Sequence, residues 1–428
     1  MKNGERDLLK KVAFLFSGQG SQYIGMGKNL YNNFQPAREV FDRANEVLGF
    51  DIGKLCFDGN IEELTRTENA QPALLTLSVA AFRVIGRELG MEPEYMAGHS
   101  IGEFSALTCA GVISFEDAVR IVRNRGKYMQ EAVPAGAGSM AAIGNIGRDR
   151  IEEECRNCSN NNRIVVVSNY NSPDETVISG HREAVKEAGE RLELLGARVI
   201  NLNVSAPFHS PLMQGAADRL RVELQGYTYN SSKYTIISNV NAMPYEGFDR
   251  VAENLSMQVV KPVKWYDTMK YLEEQGVEIA VELGPQAVLR NLMKKYIPAI
   301  NAFSFDREED IKSLNNYLTA RNKNNSGDKS ARLKLISRCM AIAVCTRNNN
   351  WDNEAYQKGV IEPYRKVQAM YEKLRSEDVE PSAEQVRNAL DMLKSVFFTK
   401  QTPIQEQVEG FERIYMETGI KSLFDDAK

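Results

Sequence analysis

Gly98-His99-Ser100-Ile101-Gly102 has the form G-x-S-x-G. In the nucleophile elbow, that pattern marks a sharp strand-to-helix turn that exposes a serine hydroxyl. The flanks suit such a turn. Tyr95-Met96-Ala97 ends a buried strand, and residues 103–110 (EFSALTCA) read as a helix closed by Gly111. Three fixed positions in five are compatible with any esterase, lipase or protease of the α/β class, so the rest of the chain must say what the serine serves.

At 428 residues the chain is long enough for two or three domains, and 43% hydrophobic with 26% charged residues is ordinary globular composition. A net charge of −4 implies no strongly basic surface and argues against a nucleic-acid partner, while a carrier protein or small acidic substrate stays open. The six cysteines are scattered and no secretion signal precedes them, which points to the reducing cytoplasm. Cys155-x-x-Cys158 stands alone, without a second pair or a nearby histidine, and reads as two free thiols; no metal site is expected. The opening MKNGERDLLKK is too charged for a signal peptide, and no stretch is apolar enough to span a membrane.

Before the elbow, Val12–Phe16 is a continuous apolar run suited to a strand buried on both faces. The polar loop Ser17-Gly18-Gln19-Gly20-Ser21-Gln22 follows, at the strand end where open α/β sheets bind ligands. It is too short for a Walker A loop and has no Lys before its Ser, so no nucleotide site is read. Residues 34–50 and 72–90 read as helices, with Pro72 in a first turn and Gly90 as a stop. After the elbow a helix from Phe115 to Ala132 carries Arg120, Arg123 and Arg125, the first two reading as a solvated face.

Residues 139–202 then run strand-helix-strand-strand-helix-strand, the ferredoxin-like order. This places a small domain at 137–203 inside a larger one made of 1–136 and 204–318. The polar stretch 319–334 reads as a linker, and 335–428 as a helical extension of unassigned role. Within that extension Ser382-Ala383-Glu384-Gln385 has capping-box form before Val386, Leu390, Leu393 and Phe397. Activating a serine calls for a base near neutral pKa, and there are three histidines, His99, His181 and His209. His99 adjoins the serine on an elbow where neighbours point apart, and His181 ends a strand of the inserted unit. His209, in Ala206-Pro207-Phe208-His209-Ser210, is the best candidate by elimination.

With the loop of Gln19, the elbow, Arg125 in NRGKYMQEAVP and APFHS around His209, the chain resembles the malonyl-CoA:acyl carrier protein transacylases, including the acyltransferases of fatty acid and polyketide synthesis. The resemblance runs from about residue 12 to residue 305. It implies an α/β-hydrolase-like large domain with a ferredoxin-like insert. It implies Ser100 as nucleophile and His209 as base, with a backbone carbonyl at Gln258 orienting the imidazole. Backbone N–H groups of Gln19 and Ile101 would form the oxyanion hole. Arg125 matches the residue that binds the free carboxylate of malonate, a task that suits a planar guanidinium. Phe208 matches the position where malonyl-selective members carry Phe. Asn171 and Asn239 fall in matching polar loops. Malonyl-CoA is then the substrate, the phosphopantetheine thiol of an acyl carrier protein the acceptor, and no bound cofactor is needed.

The sequence departs from the family pattern at Gln286 in ELGPQAVL, where Gly is common, and in its helical tail. The tail points to a free-standing polyketide-type acyltransferase serving modular synthases in trans. Two other readings compete: a hydrolase clearing stalled acyl groups from carrier proteins, and a docking scaffold without catalysis. A carboxylate clamp at Arg125 speaks against the first, and the intact set of Ser100, His209, Gln19 and Arg125 against the second.

Overall fold

The computed structural model describes residues 11–89, 91–134, 136–204, 206–324, 331–377 and 379–418. Two compact units emerge. One takes in Met1–Lys28, Glu39–Arg83 and Glu92–Leu314; the other takes in Asn29–Arg38, Val84–Met91 and Asn315–Lys428.

The first unit is mixed α/β. Its strands are β1 (Lys11–Phe16), β2 (Tyr95–Gly98), β3 (Gly138–Gly144), β4 (Val165–Ser172), β5 (Glu175–His181), β6 (Arg198–Asn201), β7 (Thr235–Ile237), β8 (Val277–Glu282) and β9 (Asn301–Ser304). A parallel sheet has the order β7-β2-β1-β8-β9. Its central strand β1 has Ala13 to Phe16 wholly buried, as expected of a strand covered on both faces. Register pairs Phe16 with Gly98, Leu15 with Glu282 and Glu282 with Ser304. The loops after these strands therefore leave the sheet along one edge, the carboxyl edge where parallel sheets present their sites.

A separate antiparallel sheet has the order β4-β5-β3-β6. Ile143, Ile178, Ile151, Val185 and Leu192 form its core with the helices Arg148–Asn157 and Arg182–Leu194. Strand β4 continues to Ser172. Along its second half the Tyr170 N–H donates to Val263 O at 2.9 Å, and the Val263 N–H donates back to Ser168 O at 2.9 Å. These bonds tie the small sheet to the segment leading into the helix Trp265–Glu274.

Several local expectations change. Pro72 is not in a first turn: the helix starts at Thr67 and runs to Leu89, with Pro72 inside it. Proline has no N–H, so the Glu68 carbonyl four residues back is left without its usual helical partner. Arg123 supplies a replacement, donating Nη1 to Glu68 O at 2.7 Å and pairing through Nη2 with the Glu68 carboxylate at 3.3 Å. Arg123 is thus a packed brace and not part of a solvated face, whereas Arg120 is exposed and paired with Asp117. Gly90 lies outside the described residues. Short helices at Ile52–Asp58 and Ile61–Thr65 had no periodicity to announce them; each is started by a side-chain cap, Asp51 and Asn60 respectively.

The second unit is helical. Leu335, Ile336, Leu393, Val396 and Phe397 form its core, mainly from the helices Ala331–Cys345 and Ala383–Thr399. The capping box of Ser382 and Gln385 is present. Lys400 is 1% exposed and caps the C-terminal end of the helix Ala331–Cys345, donating Nζ to Ala343 O at 3.0 Å and Thr346 O at 2.9 Å. Its charge faces Glu88 Oε2 at 3.5 Å, while the Tyr356 hydroxyl donates to Glu88 Oε1 at 3.0 Å. Within the stretch read as a linker, one helix continues to Asn324 and the next opens at Ala331. Asparagine and lysine weaken a helix only slightly, so polarity alone does not end one. No helix among the described residues is long and apolar enough to cross a membrane.

Candidate active site

Ser100 sits between β2 and the helix Ile101–Cys109 with φ 53° and ψ −108°, a conformation unfavourable for an L-residue. The glycines of the motif make the turn possible. A Cβ on Gly98 would lie 2.0 Å from the Gly102 carbonyl carbon, and one on Gly102 would lie 2.1 Å from Phe16 O. Asn239, just after β7, braces the turn from outside. Its Oδ1 accepts the Ser100 N–H at 2.7 Å and its Nδ2 donates to Gly98 O at 2.6 Å. Such strain costs about 1–3 kcal/mol and persists only where surrounding contacts over-determine it.

His209 also has positive φ, 56°. Its Nε2 is 2.7 Å from Ser100 Oγ, and its Nδ1 is 2.7 Å from the Gln258 carbonyl oxygen. A carbonyl only accepts, so Nδ1 carries the proton and Nε2 presents a lone pair to the serine hydroxyl. Burial, and then the charge of Arg125, push the His209 pKa down to about 3. The imidazole is therefore neutral and ready to accept a proton across the physiological range.

Arg125 comes from the helix Phe115–Glu131 and is 1% exposed. Its Nη2 donates to Ser100 Oγ at 3.3 Å and to Gln258 Oε1 at 2.9 Å, and the guanidinium lies over the Phe104 ring at 5.2 Å. Its Nε has no hydrogen-bond partner. Burial pushes the pKa down to about 10, with Glu103 opposing, so the guanidinium keeps its charge at neutral pH. A buried cation with a free donor is suited to an anionic group brought by a ligand.

The other expected residues fall around this centre. Gln19 is half-buried on the loop after β1, with Nε2 donating to Thr67 Oγ1 at 3.3 Å. Ile101 is buried at the first position of the elbow helix. Phe208 is buried on the turn that carries His209. Asn171, on β4, accepts from His99 Nε2 at 3.0 Å and donates to Glu175 at 2.9 Å, so it reaches the elbow through His99. His181 accepts the Ile164 N–H through Nδ1 at 3.0 Å, a clip within the small sheet. Gln286 adopts φ 65°, which explains why glycine is common there. Its side chain donates to Ser21 O at 3.0 Å and so holds the Gln19 loop. No group of His, Cys, Asp and Glu among the described residues is arranged to hold a metal.

Three features escaped sequence reading. Glu103 is fully buried in the elbow helix and accepts from the Tyr245 hydroxyl at 2.6 Å, Gln258 Nε2 at 2.6 Å and the Asn239 N–H at 3.1 Å. The only signal was an acid in an otherwise apolar helix start. Glu282, at the end of β8, accepts from Ser17 Oγ at 2.7 Å and from the N–H groups of Leu289 and Arg290. The Gln258 side chain, where only the backbone carbonyl was expected to act, also donates to Ser100 O at 2.9 Å.

Comparison with known proteins gives a consistent result. Residues 13–313 match the acyl transferase domain family. A malonyl CoA-acyl carrier protein transacylase of Bacillus subtilis is 39% identical over 400 residues, 94% of this chain and 99% of its own. That likeness takes in residues of the helical tail, where sequence reading had found none. The enzyme of the same name from Escherichia coli strain K12 is 43% identical over 295 residues, 69% of this chain and 95% of its own. Among solved structures, a malonyl-transacylase in complex with the acyl-carrier protein of a type II PKS superposes with a TM-score of 0.69 at 39% identity, covering 71% of this chain and 98% of that one. Agreement at this level over almost the whole length of such relatives leaves one assignment: the chain belongs to the acyl transferase domain family, among the malonyl CoA-acyl carrier protein transacylases.

Proposed function

We propose that this protein moves a malonyl group from malonyl-CoA to the phosphopantetheine thiol of an acyl carrier protein through an ester on Ser100. The observation that carries the reading is the buried, charged Arg125 guanidinium 3.3 Å from Ser100 Oγ, next to a serine bonded to a neutral His209. Ser100 Oγ attacks the thioester carbonyl while its proton passes to His209 Nε2. The N–H groups of Gln19 and Ile101 receive the oxyanion, and such a donor can be worth about 3 kcal/mol. Collapse breaks the C–S bond, and the CoA thiolate takes the proton from His209. A carrier thiol then attacks the ester and gives its proton to His209, which returns it to Ser100 Oγ as the ester C–O bond breaks.

In this reading Arg125 holds the substrate carboxylate, and an acetyl group leaves the guanidinium uncompensated. Phe208 crowds an α-methyl group. Asn239 and Asn171 support the elbow. The parallel-sheet body is read as α/β-hydrolase-like and the antiparallel unit, at 137–203 within a body of 1–136 and 204–318, as ferredoxin-like; the element order supports both. Action in trans on polyketide synthases, in the cytoplasm and without a bound cofactor, completes the proposal.

The test is to mix the protein with malonyl-CoA, locate covalent mass, and add a holo carrier protein. A malonyl adduct on Ser100 that moves to the carrier supports transfer. Release of malonate to water without transfer would identify a hydrolase, and absence of an adduct with any acyl thioester would leave a scaffold. Ser100→Ala should abolish the adduct.

A further inference from the structure

We propose that Glu103 is a positioning residue for malonyl selectivity: it fixes the Gln258 amide so that the carbonyl oxygen faces Arg125. The inference rests on Arg125 being the carboxylate clamp. Gln258 is 1% exposed, and its two amide ends meet opposite surroundings. Around Nε2 stand three acceptors, Glu103 Oε2 at 2.6 Å, Ser100 O at 2.9 Å and Asn239 Oδ1 at 3.5 Å. Facing Oε1 at 2.9 Å is the Arg125 Nη2 donor. The nitrogen and oxygen of an amide are distinguished by what surrounds them, and here a single orientation satisfies every neighbour.

Glu103 governs that choice because it is held as an acceptor. The Tyr245 hydroxyl occupies Oε1 at 2.6 Å, and the Asn239 N–H shares Oε2 at 3.1 Å. With those donors in place, the carboxylate demands an N–H from Gln258, and Oε1 is left for the guanidinium.

The arrangement has a second consequence. A carboxylate bonded directly to Arg125 would consume the donors that a substrate carboxylate needs. Glu103 instead stands one amide away. Its charge opposes the desolvation of the buried guanidinium, yet Arg125 Nε stays without a protein partner. The cation is thus kept charged, aimed and unspent.

The experiment compares kcat and KM of the full-length protein for malonyl-CoA and acetyl-CoA, with transfer to a holo carrier protein, in Glu103→Gln. The side chain keeps its size but loses its charge and no longer dictates the Gln258 amide. The malonyl-to-acetyl ratio of kcat/KM should fall about tenfold, chiefly through a higher KM for malonyl-CoA, as loss of a charge-assisted contact predicts. An equal loss for both substrates would reduce Glu103 to mere support for the elbow and overturn the proposal, as would an unchanged ratio. If circular dichroism shows Glu103→Gln unfolded, Tyr245→Phe, which removes one donor holding the carboxylate, decides by the same ratio. Arg125→Ala runs in parallel. If it leaves the ratio unchanged, the clamp reading fails and this inference with it. If it collapses the ratio while Glu103→Gln does not, the clamp stands and only the role of Glu103 is refuted.

Discussion

Arg125 Nη2 lies 3.3 Å from Ser100 Oγ and 2.9 Å from Gln258 Oε1, so the buried cation touches both the serine hydroxyl and the residue whose carbonyl holds His209. Charge at Arg125 is therefore felt by the whole Ser100–His209 pair. Burial is the larger cause of the low His209 pKa of about 3, and Arg125 is the second.

Replacing Arg125 by Ala should show this in a pH profile. His209 acts as a base only when neutral, so activity is lost as pH falls through its pKa. Removing the nearby cation raises that pKa. The acid limb of kcat/KM for acetyl-CoA should move to higher pH in Arg125→Ala, while malonyl-CoA use drops. Profiles recorded from about pH 2 to 8 would reveal it. Superimposable acid limbs would mean that the guanidinium charge does not reach the imidazole.

Gln258→Ala separates two jobs. The backbone carbonyl that holds His209 Nδ1 survives the change, but the partner of Arg125 does not. Acetyl transfer should fall less than in His209→Ala, where loss of the base costs about 10²–10⁴-fold. Malonyl transfer should fall more steeply than acetyl transfer. Equal losses with both thioesters would assign Gln258 to the imidazole alone.

Asn239→Ala removes the acceptor of the Ser100 N–H and the donor to Gly98 O in one step. Leaving such buried groups unpaired costs about 1–3 kcal/mol. The urea midpoint should drop accordingly, and kcat should fall because the positive φ of Ser100 loses its brace. A stable variant with wild-type kcat would show that the glycines alone hold the turn.

Lys400→Ala tests the helical unit. Removing one partner of a buried ion pair costs about 3–5 kcal/mol, because Glu88 is left uncompensated and two helix-end carbonyls lose their donor. Thermal unfolding and limited proteolysis should both report a weakened tail, and Glu88→Gln in the same chain should recover part of the loss. An unchanged melting curve would show that the apolar core carries the unit by itself.

Much of the centre was legible in the chain because its signals are local. Three histidines left few choices of base, and the one chosen meets Ser100 at 2.7 Å. Arg125 was legible only through resemblance, since nothing local separates it from Arg120 and Arg123 on the same helix. Only packing shows that one is exposed, one braces the Glu68 carbonyl freed by Pro72, and one is buried against the nucleophile. Gln286 stands out in the sequence only as a departure from the family pattern, and its positive φ and bond to Ser21 are visible only in three dimensions.

By itself the sequence determined the strand-loop-strand-elbow order, the G-x-S-x-G turn and the helical character of the tail. Each follows from periodicity, glycine placement or capping within a few residues. Tertiary structure alone decided how the elbow is held. Glu103, Gln258 and Arg125 join residues 133 and 155 positions apart in the chain, and Asn239 reaches Ser100 from 139 away. No pattern in a local window encodes such contacts. They form because burying polar groups forces each donor to find an acceptor, whichever strand end brings it near. The elbow began as a serine common to many hydrolytic folds, and a buried hydrogen-bond network distinguishes it here as a serine beside a clamped cation.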